Sequence, residues 1–235
     1  MFVIRGHCSI QVHPDDTLAM DRHGKRGKTE MWYILDATPE ATLITGFSQQ
    51  ITPEEYTTLI RENRITDVLA RHAVTAGDCF FLPAGRIHSI GAGTLLAEIQ
   101  QTSDITYRVY DYGRMGLDGK PRELHMDEAR EAIDYRIQAD YRTHYTALPN
   151  QSNELVRCDY FTTALYELTE AIVLPIAPLD SFVVVMALEG AGTLLTDDGR
   201  SMSIRQGETV LVAAHHRSLT LQPHGKLKLL TACCS

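Results

Sequence analysis

The side chains of Gln11, His13, Glu30 and His88 have the types and spacing expected of a site for a divalent metal ion. Residues two apart on a strand point to the same face, so Gln11 and His13 should converge, and so should Lys28 and Glu30. His88 follows a strand-like run and a Pro/Gly turn that could bring it to the same place. Two imidazoles, one carboxylate and one amide oxygen suit a borderline cation, and we expect one Zn²⁺ per chain.

Strands must position these side chains. Short β-forming runs separated by Gly, Pro and Asp are typical of a sandwich or a barrel. In the first half of the chain these runs are Cys8–His13, Met31–Leu35, Thr42–Gly46, Cys79–Pro83, Thr94–Gln101 and Thr106–Asp111. The segment Thr52-Pro53-Glu54-Glu55 has a capping box with proline at the first helical position and predicts a helix. A second helix is expected from about Asp127 to Ile133.

The second half of the chain repeats the β pattern after a polar, turn-rich segment at Asp134–Asn153. Its predicted strands are Tyr160–Thr169, Ser181–Glu189, Gly192–Thr196, Glu208–Ala213 and Leu219–Leu221. The pair Asp198-Gly199 predicts a hairpin turn. The run Gly77–Ala84 resembles Gly207–Ala214, which indicates a weak internal repeat.

The second copy of this repeat lacks the metal-binding side chains of the first. When the two runs are aligned, Ser218 occupies the position of His88. His215 and His216 have no neighbouring carboxylate in the sequence, so a loop at a barrel mouth is favoured over a second metal site.

Composition and charge limit the classes of function. With 235 residues, 44% of them apolar, the chain can form one large domain or two of modest size. It has no long apolar run and no secretory signal, and its five cysteines lack Cys-x-x-Cys spacing, so a cytoplasmic protein with reduced thiols is expected. The net charge of −8 argues against nucleic acid and membranes as partners. A metal ion and a few basic side chains can still make one cleft attractive to a small anion.

The Gly-Asp-x4-Pro-x-Gly-x2-His pattern that ends at His88 resembles the second sequence motif of cupins, which are small metal-binding β-barrels. Together with the segments Ser9–Asp16, Gly27–Tyr33, Ser103–Tyr112 and Pro121–His125, it resembles the type I mannose-6-phosphate isomerases, especially their short bacterial forms. The resemblance implies an all-β chain with two cupin-like β-barrel or jelly-roll domains and a few short helices. We expect a metal-binding cupin domain over 1–135, a connecting segment over 136–153 and a second cupin-like domain without metal ligands over 154–235.

The resemblance also implies zinc-dependent interconversion of mannose 6-phosphate and fructose 6-phosphate, so that a phosphorylated hexose is the expected substrate. Carried over position by position, the metal ligands are Gln11, His13, Glu30 and His88. The reaction is an aldose–ketose isomerisation through an enediol(ate). A Zn²⁺ ion with three neutral ligands and one carboxylate keeps a positive charge that can polarise the sugar carbonyl.

Three further residues, Lys28, Glu98 and Arg108, match the family's positions near the reacting carbons. A base must reach the protons on C1 and C2, and Glu98 and Lys28 are the candidates. Glu98 could instead orient a ligand histidine. The guanidinium of Arg108 stays charged and is better suited to holding the enediolate or the phosphate. For the phosphate group, Arg108, Lys28, Lys25 and Arg86 are all conceivable.

Two other functions stay open at this point. Family members carry a substantial segment before the motif at Ser9–Asp16, whereas only eight residues precede it here, so the metal-binding domain is expected to be N-terminally short. The first alternative is therefore a truncated, inactive zinc-binding cupin that binds a sugar phosphate, and a homodimer could complete its sheet. The second is an iron oxygenase of the cupin type, against which the amide ligand Gln11 argues.

Overall fold

The computed structural model describes residues 2–4, 8–116 and 118–234. The chain divides into two compact units, Met1–Arg142 and Thr143–Ser235. Strands dominate both units, which confirms the prediction of an all-β fold with a few short helices. None of the helices in the described part of the chain has the length and apolar character needed to cross a bilayer.

The first unit contains two sheets and three α-helices in the part that the structure describes. In chain order its elements are β1 (Phe2–Ile4), β2 (Ile10–Val12), α1 (Asp16–His23), β3 (Glu30–Ala37), β4 (Thr42–Phe47), α2 (Pro53–Arg61), a 3₁₀ turn (Ile65–Val68), β5 (Leu69–Ala73), β6 (Cys79–Leu82), β7 (His88–Ile90), β8 (Thr94–Gln100), β9 (Tyr107–Tyr110) and α3 (Met126–Ala132). Hydrogen bonding orders the strands β1-β8-β3-β6 in one sheet and β5-β4-β7-β2-β9 in the other.

Side chains of the five-stranded sheet alternate between its two faces. Ile10 and Val12 of β2 are completely buried in the core cluster that includes residues of all three helices, so Gln11 between them points to the opposite face. Gln11 is paired with His88 of β7 on one side and with Arg108 of β9 on the other. Because paired residues of antiparallel strands share a face, this register brings Gln11, His88 and Arg108 to one surface.

The two sheets enclose a second apolar cluster next to this surface. It combines residues of the four-stranded sheet, such as Trp32 and Leu96, with residues of the five-stranded sheet, such as Leu43 and Ile90. Burying a side chain of this size contributes about 1.5 to 3 kcal/mol of folding free energy. Packing between the sheets therefore fixes the strands from which the candidate site projects.

The helix predicted from Thr52 is confirmed together with its capping box. The Thr52 hydroxyl accepts a hydrogen bond from the Glu55 N–H (3.2 Å), and the Glu55 carboxylate accepts one from the Thr52 N–H (2.7 Å). The helix predicted at about 127–133 is also confirmed, as α3. The sequence analysis missed α1, which is capped by the Asp15 side chain and ends at Gly24 with φ of 63°.

The second unit contains a seven-stranded sheet. Its elements are β10 (Asn153–Arg157), β11 (Thr162–Leu168), β12 (Ile172–Pro175), a 3₁₀ turn (Ala177–Leu179), β13 (Val183–Thr196), β14 (Ser201–Arg205), β15 (Thr209–Val212) and β16 (Ser218–Cys233). The strand order is β10-β11-β16-β13-β14, with β12 paired to β16 and β15 paired to β13. The predicted hairpin at Asp198-Gly199 is confirmed and joins β13 to β14.

Two strand predictions for this unit were wrong in extent. The segments Ser181–Glu189 and Gly192–Thr196 belong to one strand, β13, which continues through two bulges near Gly190. The predicted strand at Leu219–Leu221 is only the beginning of β16, which runs on to Cys233.

Candidate active site

His13, Glu30 and His88 form a buried cluster in which the possible ligand atoms all lie within 4.8 Å of one another. His13 Nε2 is 3.6 Å from Glu30 Oε2, and His88 Nε2 is 3.4 Å from Glu30 Oε1. A tetrahedral zinc ion with bonds of about 2.0 to 2.2 Å holds its ligand atoms about 3.4 Å apart. The separations in this cluster therefore fit the donor set of a zinc site.

Both histidines of the cluster are oriented by backbone carbonyl groups. His13 Nδ1 lies 2.7 Å from the Ile105 oxygen, and His88 Nδ1 lies 2.7 Å from the Arg86 oxygen. Because a carbonyl oxygen only accepts, each Nδ1 must donate, which leaves Nε2 of each ring free of a proton and directed at Glu30. Burial lowers the pKa of His13 well below its usual value and lowers the pKa of His88 to about 4. Both rings are therefore held neutral, the form that binds a metal ion.

Gln11 lies beside this cluster, but its amide oxygen is turned to another partner. Its Nε2 is 3.3 Å from His88 Nε2, whereas its Oε1 accepts a hydrogen bond from the Ser9 hydroxyl at 3.2 Å. Ligation through Oε1 would require the amide to turn over about its terminal bond. Gln11 as a fourth metal ligand thus stays a prediction.

The ammonium group of Lys28 lies against the cluster. Its Nζ is 2.7 Å from Glu30 Oε2, 3.4 Å from His13 Nε2 and 3.4 Å from Glu98 Oε1. Apart from this ion pair, the buried Glu30 Oε2 has no hydrogen-bond donor among the described residues. The donor atoms of the cluster are therefore already directed at a positive charge, as they would be with a bound metal ion.

The two carboxyl groups near Lys28 are both perturbed. Burial raises the pKa of Glu30, and the charge of Lys28 opposes this effect. Burial also raises the pKa of Glu98, and the neighbouring charge of Glu30 adds to the increase. Two carboxylates this close stay ionised together only where positive charge is also present.

The loop that leads into β3 packs closely against the backbone of the segment Pro14–Asp16. The Gly27 N–H donates to Asp16 Oδ1 (2.7 Å), and the Lys28 N–H donates to the Pro14 oxygen (3.1 Å). A Cβ at Gly27 would lie 2.5 Å from the backbone carbon of Asp15, so only glycine fits here. The Gly-Lys-x-Glu spacing noted in the sequence thus reflects a loop pressed against the segment that carries His13.

A cavity of about 360 Å³ opens onto the cluster. Its lining contains all three predicted catalytic residues, Lys28, Glu98 and Arg108, with Glu30 and His88 of the metal cluster. Arg108 and His88 are two strands apart on the same face, and strand spacing sets this separation at about 10 Å. The structure therefore brings the predicted side chains to one cavity but separates Arg108 from the metal cluster by the width of β2.

Two arginines that the sequence analysis did not place at the candidate site complete this lining. Arg114 and Arg122 lie on the cavity and both pair with the buried carboxylate of Asp111. An isolated bridge between Met115 and Pro121 brings the two arginines together although they are eight positions apart. The sequence did contain a signal for Arg122: it lies in the segment Pro121–His125, which contributed to the family resemblance although none of its residues was given a function.

In the second unit, folding brings a carboxylate from a distant part of the chain to the His215-His216 pair. His216 Nδ1 lies 3.1 Å from Asp197 Oδ1, so a carboxylate does adjoin the His215-His216 pair. Asp197 also accepts a hydrogen bond from the Arg217 N–H (3.1 Å), which indicates a contact that closes the loop. Among the residues that the structure describes, the group of three possible His, Cys or carboxylate ligands consists of His13, Glu30 and His88 in the first unit.

Comparison with known proteins adds sequence relatives to this geometry. Residues 151–231 match the family model for the cupin domain of mannose-6-phosphate isomerase. The chain is 36% identical over 193 residues to the mannose-6-phosphate isomerase ManA of Bacillus subtilis, covering 81% of this chain and 60% of that protein. It is 31% identical over 206 residues to the mannose-6-phosphate isomerase of Streptococcus mutans, covering 87% of this chain and 64% of that protein. The chain thus spans less than two thirds of the length of these curated relatives.

A solved structure extends the likeness to the fold. The chain matches the crystal structure of the mannose 6-phosphate isomerase from Bacillus subtilis with a TM-score of 0.87 and 30% identity. The match covers 97% of this chain and 72% of that one. It confirms the cupin fold and the family resemblance inferred from the motifs: the chain belongs to the mannose-6-phosphate isomerase family.

Proposed function

We propose that the chain is a metal-dependent aldose–ketose isomerase that interconverts mannose 6-phosphate and fructose 6-phosphate through an enediol(ate). The observation that carries the proposal is the cavity in which His13, Glu30 and His88 adjoin Lys28 and Glu98. Enediol chemistry needs a group that polarises a carbonyl and a base beside it. Membership of the isomerase family and the names of the relatives support the choice of substrate.

We propose one Zn²⁺ ion per chain as the cofactor. Two neutral imidazoles and a buried carboxylate match the donor types that zinc prefers, and Gln11 Oε1 would complete a set of four after the amide turns over. When bound, the ion would supply Lewis acidity that polarises the sugar carbonyl and stabilises the negative charge of the enediolate.

Glu98 is our candidate for moving the carbon-bound proton. Its carboxylate would take the proton from C2 of mannose 6-phosphate and return it to C1, which converts the aldehyde into the ketone. A second proton must pass from the oxygen on C2 to the oxygen on C1 for the reaction to balance. Lys28, whose Nζ is 3.4 Å from Glu98 Oε1, can hold these oxygens by hydrogen bonds and pass that proton between them.

Arg108 has a supporting role in this proposal. Its guanidinium keeps its charge and is therefore suited to binding an anionic part of the sugar phosphate and not to abstracting a proton. Its Nη1 donates to the Glu123 carbonyl oxygen (2.9 Å), which fixes the side chain on the cavity.

The test is an isomerase assay coupled to fructose 6-phosphate detection, run on protein of measured zinc content. We expect metal-dependent turnover, with kcat about 10²- to 10⁴-fold lower for Glu98→Gln and with zinc content unchanged. Glu154→Gln is the matched control, since it removes an exposed arginine-paired carboxylate in the second unit and should leave turnover intact. A folded, zinc-loaded wild type without turnover would reject the proposal and favour a binding-only relative.

A further inference from the structure

Trp32, the single tryptophan of the chain, lies among the functional side chains of the candidate site. It follows Glu30 by two positions on β3, so both side chains project from one face of the sheet. Its partner across the strands is Glu98 of β8, which shares that face. The indole also contacts the imidazole of His88: the ring centres are 5.3 Å apart, and the rings lie at 82° to each other. Three side chains of the site are thus neighbours of Trp32.

Packing holds Trp32 firmly in place. The residue is 1% exposed and belongs to the apolar cluster between the two sheets, together with Ile34, Phe80 and Leu96. It also contributes to the lining of the active-site cavity. A side chain that is packed in the core and also reaches the cavity can keep the polar groups beside it in fixed positions.

The indole N–H of Trp32 is the feature that a purely apolar core residue would lack. Its Nε1 is buried and has no hydrogen-bond partner of ordinary geometry among the described residues. Glu30 Oε2 is buried as well and, apart from the ion pair with Lys28, has no donor there. Burying a donor or an acceptor without a partner is unfavourable, and phenylalanine would fill the core without this penalty. An unmatched donor so close in the chain to an unmatched acceptor indicates that the two groups act together.

The electrostatics of Glu30 agree with this pairing. Burial raises the pKa of Glu30, whereas the charge of Lys28 and the N–H of Trp32 lower it. A group that lowers the pKa of a carboxyl group favours its ionised form, which is the form that binds a metal ion. The N–H of Trp32 therefore supports Glu30 as a metal ligand.

Resting on the metal site of the proposed function, we propose that Trp32 is a positioning residue of that site: its N–H holds the carboxylate of Glu30, and its ring holds the imidazole of His88. Carboxylates that bind a metal ion are themselves hydrogen-bonded by neighbouring groups, which orient their oxygens. An edge-to-face contact likewise favours one orientation of an aromatic ring. His88 is then held from two sides, by the Trp32 ring and by the Arg86 oxygen, which lies 2.7 Å from its Nδ1.

The test removes the N–H of Trp32 and keeps the fused ring. Because the chain has one tryptophan, incorporation of benzothienylalanine, in which sulfur replaces the N–H, changes this side chain alone. We expect the zinc affinity of the metal-free protein, measured by competition with a chromophoric chelator, to fall by about 10- to 100-fold. Trp32→Phe, which also removes part of the ring, should lose at least as much.

Leu96→Ala is the matched control, since it removes buried packing from the same apolar cluster but no N–H. It should lower the unfolding temperature and leave the zinc affinity unchanged. The visible absorption of Co²⁺ bound in place of Zn²⁺ gives a second readout, because it depends on the arrangement of the ligands. We expect its bands to shift in the benzothienylalanine protein and in Trp32→Phe but not in Leu96→Ala.

Wild-type zinc affinity and an unshifted cobalt spectrum in the benzothienylalanine protein would overturn the inference. So would an equal loss of zinc affinity in Leu96→Ala, because Trp32 would then act only through core packing.

These measurements do not depend on turnover, so this inference and the proposed isomerase can fail separately. If the zinc-loaded wild type does not turn over mannose 6-phosphate but the loss of affinity is seen, the isomerase is rejected and the role of Trp32 is supported. Turnover by the wild type, together with wild-type zinc affinity in the benzothienylalanine protein, would support the isomerase and overturn the role of Trp32. A wild type that binds no zinc would overturn both.

Discussion

Replacing Gly27 by alanine tests how the loop before β3 holds the active site together. The added Cβ would lie 2.5 Å from the Asp15 backbone carbon and 2.6 Å from both Asp16 N and Pro14 O. Ordinary contact begins at 3.4 Å, so the loop and the Pro14–Asp16 segment must separate by about 0.9 Å. These neighbours are backbone atoms that cannot rotate away. The loop precedes Lys28, and the facing segment follows His13, so the displacement should misalign both.

Two effects of different size should follow from this displacement. Overpacking of this kind costs about 2 kcal/mol of folding free energy, which lowers the unfolding temperature by about 4 to 8 °C. A misplacement of about 1 Å at a catalytic group can reduce turnover by about 10²-fold, so activity should fall far more than stability. Since we propose that Lys28 passes a proton between the substrate oxygens on C2 and C1, we expect the loss mainly in kcat.

The assay is a thermal unfolding measurement together with isomerase kinetics at saturating mannose 6-phosphate. Gly199→Ala is the control: Gly199 has φ of 83°, and no atom lies within 4 Å of the position that an added methyl group would take, so only backbone strain of about 1 kcal/mol is expected. That variant should be slightly less stable and fully active. Wild-type kcat and unfolding temperature in Gly27→Ala would refute the reasoning, since the loop would then tolerate the methyl group.

Three further predictions concern stability. Tyr141→Phe should cost about 1 to 3 kcal/mol in urea unfolding, because its hydroxyl bonds both the N–H (3.1 Å) and the carbonyl (3.0 Å) of buried Phe47; an unchanged midpoint would contradict this. Thr52→Ala removes the capping box of α2 and should cost about 1 kcal/mol, whereas Thr58→Ala on the same helix should cost less; equal losses would argue against the cap. Burial alone would raise the pKa of Asp111, but hydrogen bonds from its two arginine partners lower it below the usual value. The stability that wild type has over Asp111→Asn should therefore be present at pH 7 and disappear as the pH falls below about 4, and a difference independent of pH would contradict it.

Much of the first unit could be predicted because local patterns and tertiary packing agree there. The capping box at Thr52 is satisfied within its own turn and needs no distant partner. Strands such as β3 and β8 have apolar runs that the sheet interface buries. The helix α1 was missed because it buries Ala19 and little else, so no apolar periodicity marks it. Its signals were the caps, Asp15 before the helix and Gly24 after it.

The second unit shows pairing that overrides local turn signals. The segment Gln222-Pro223-His224-Gly225 is typical of a turn, yet it lies inside β16. There Gln222 and Pro223 pair with Thr193 and Gly192 of β13, which compensates for the weak local propensity. Such long-range pairing cannot be read from a window of neighbouring residues.

The candidate site shows the same division between local spacing and distant contacts. The two-residue spacing of Gln11 and His13 predicted that Gln11 faces the site, and the structure brings Gln11 beside His88. The direction of its amide depends on Ser9 and could not be predicted from spacing. The convergence of Arg114 and Arg122 on one carboxylate likewise depends on side-chain contacts that only the folded hairpin provides.

Titration of zinc into metal-free protein, with turnover of mannose 6-phosphate followed at each step, tests the central claim most directly. For wild type we expect turnover to rise in proportion to bound zinc and to level off at one ion per chain. Glu30→Ala and His88→Ala remove members of the buried ligand cluster and should lose both zinc binding and turnover. Turnover that is independent of added metal, or stoichiometric zinc retained by both variants, would contradict the account.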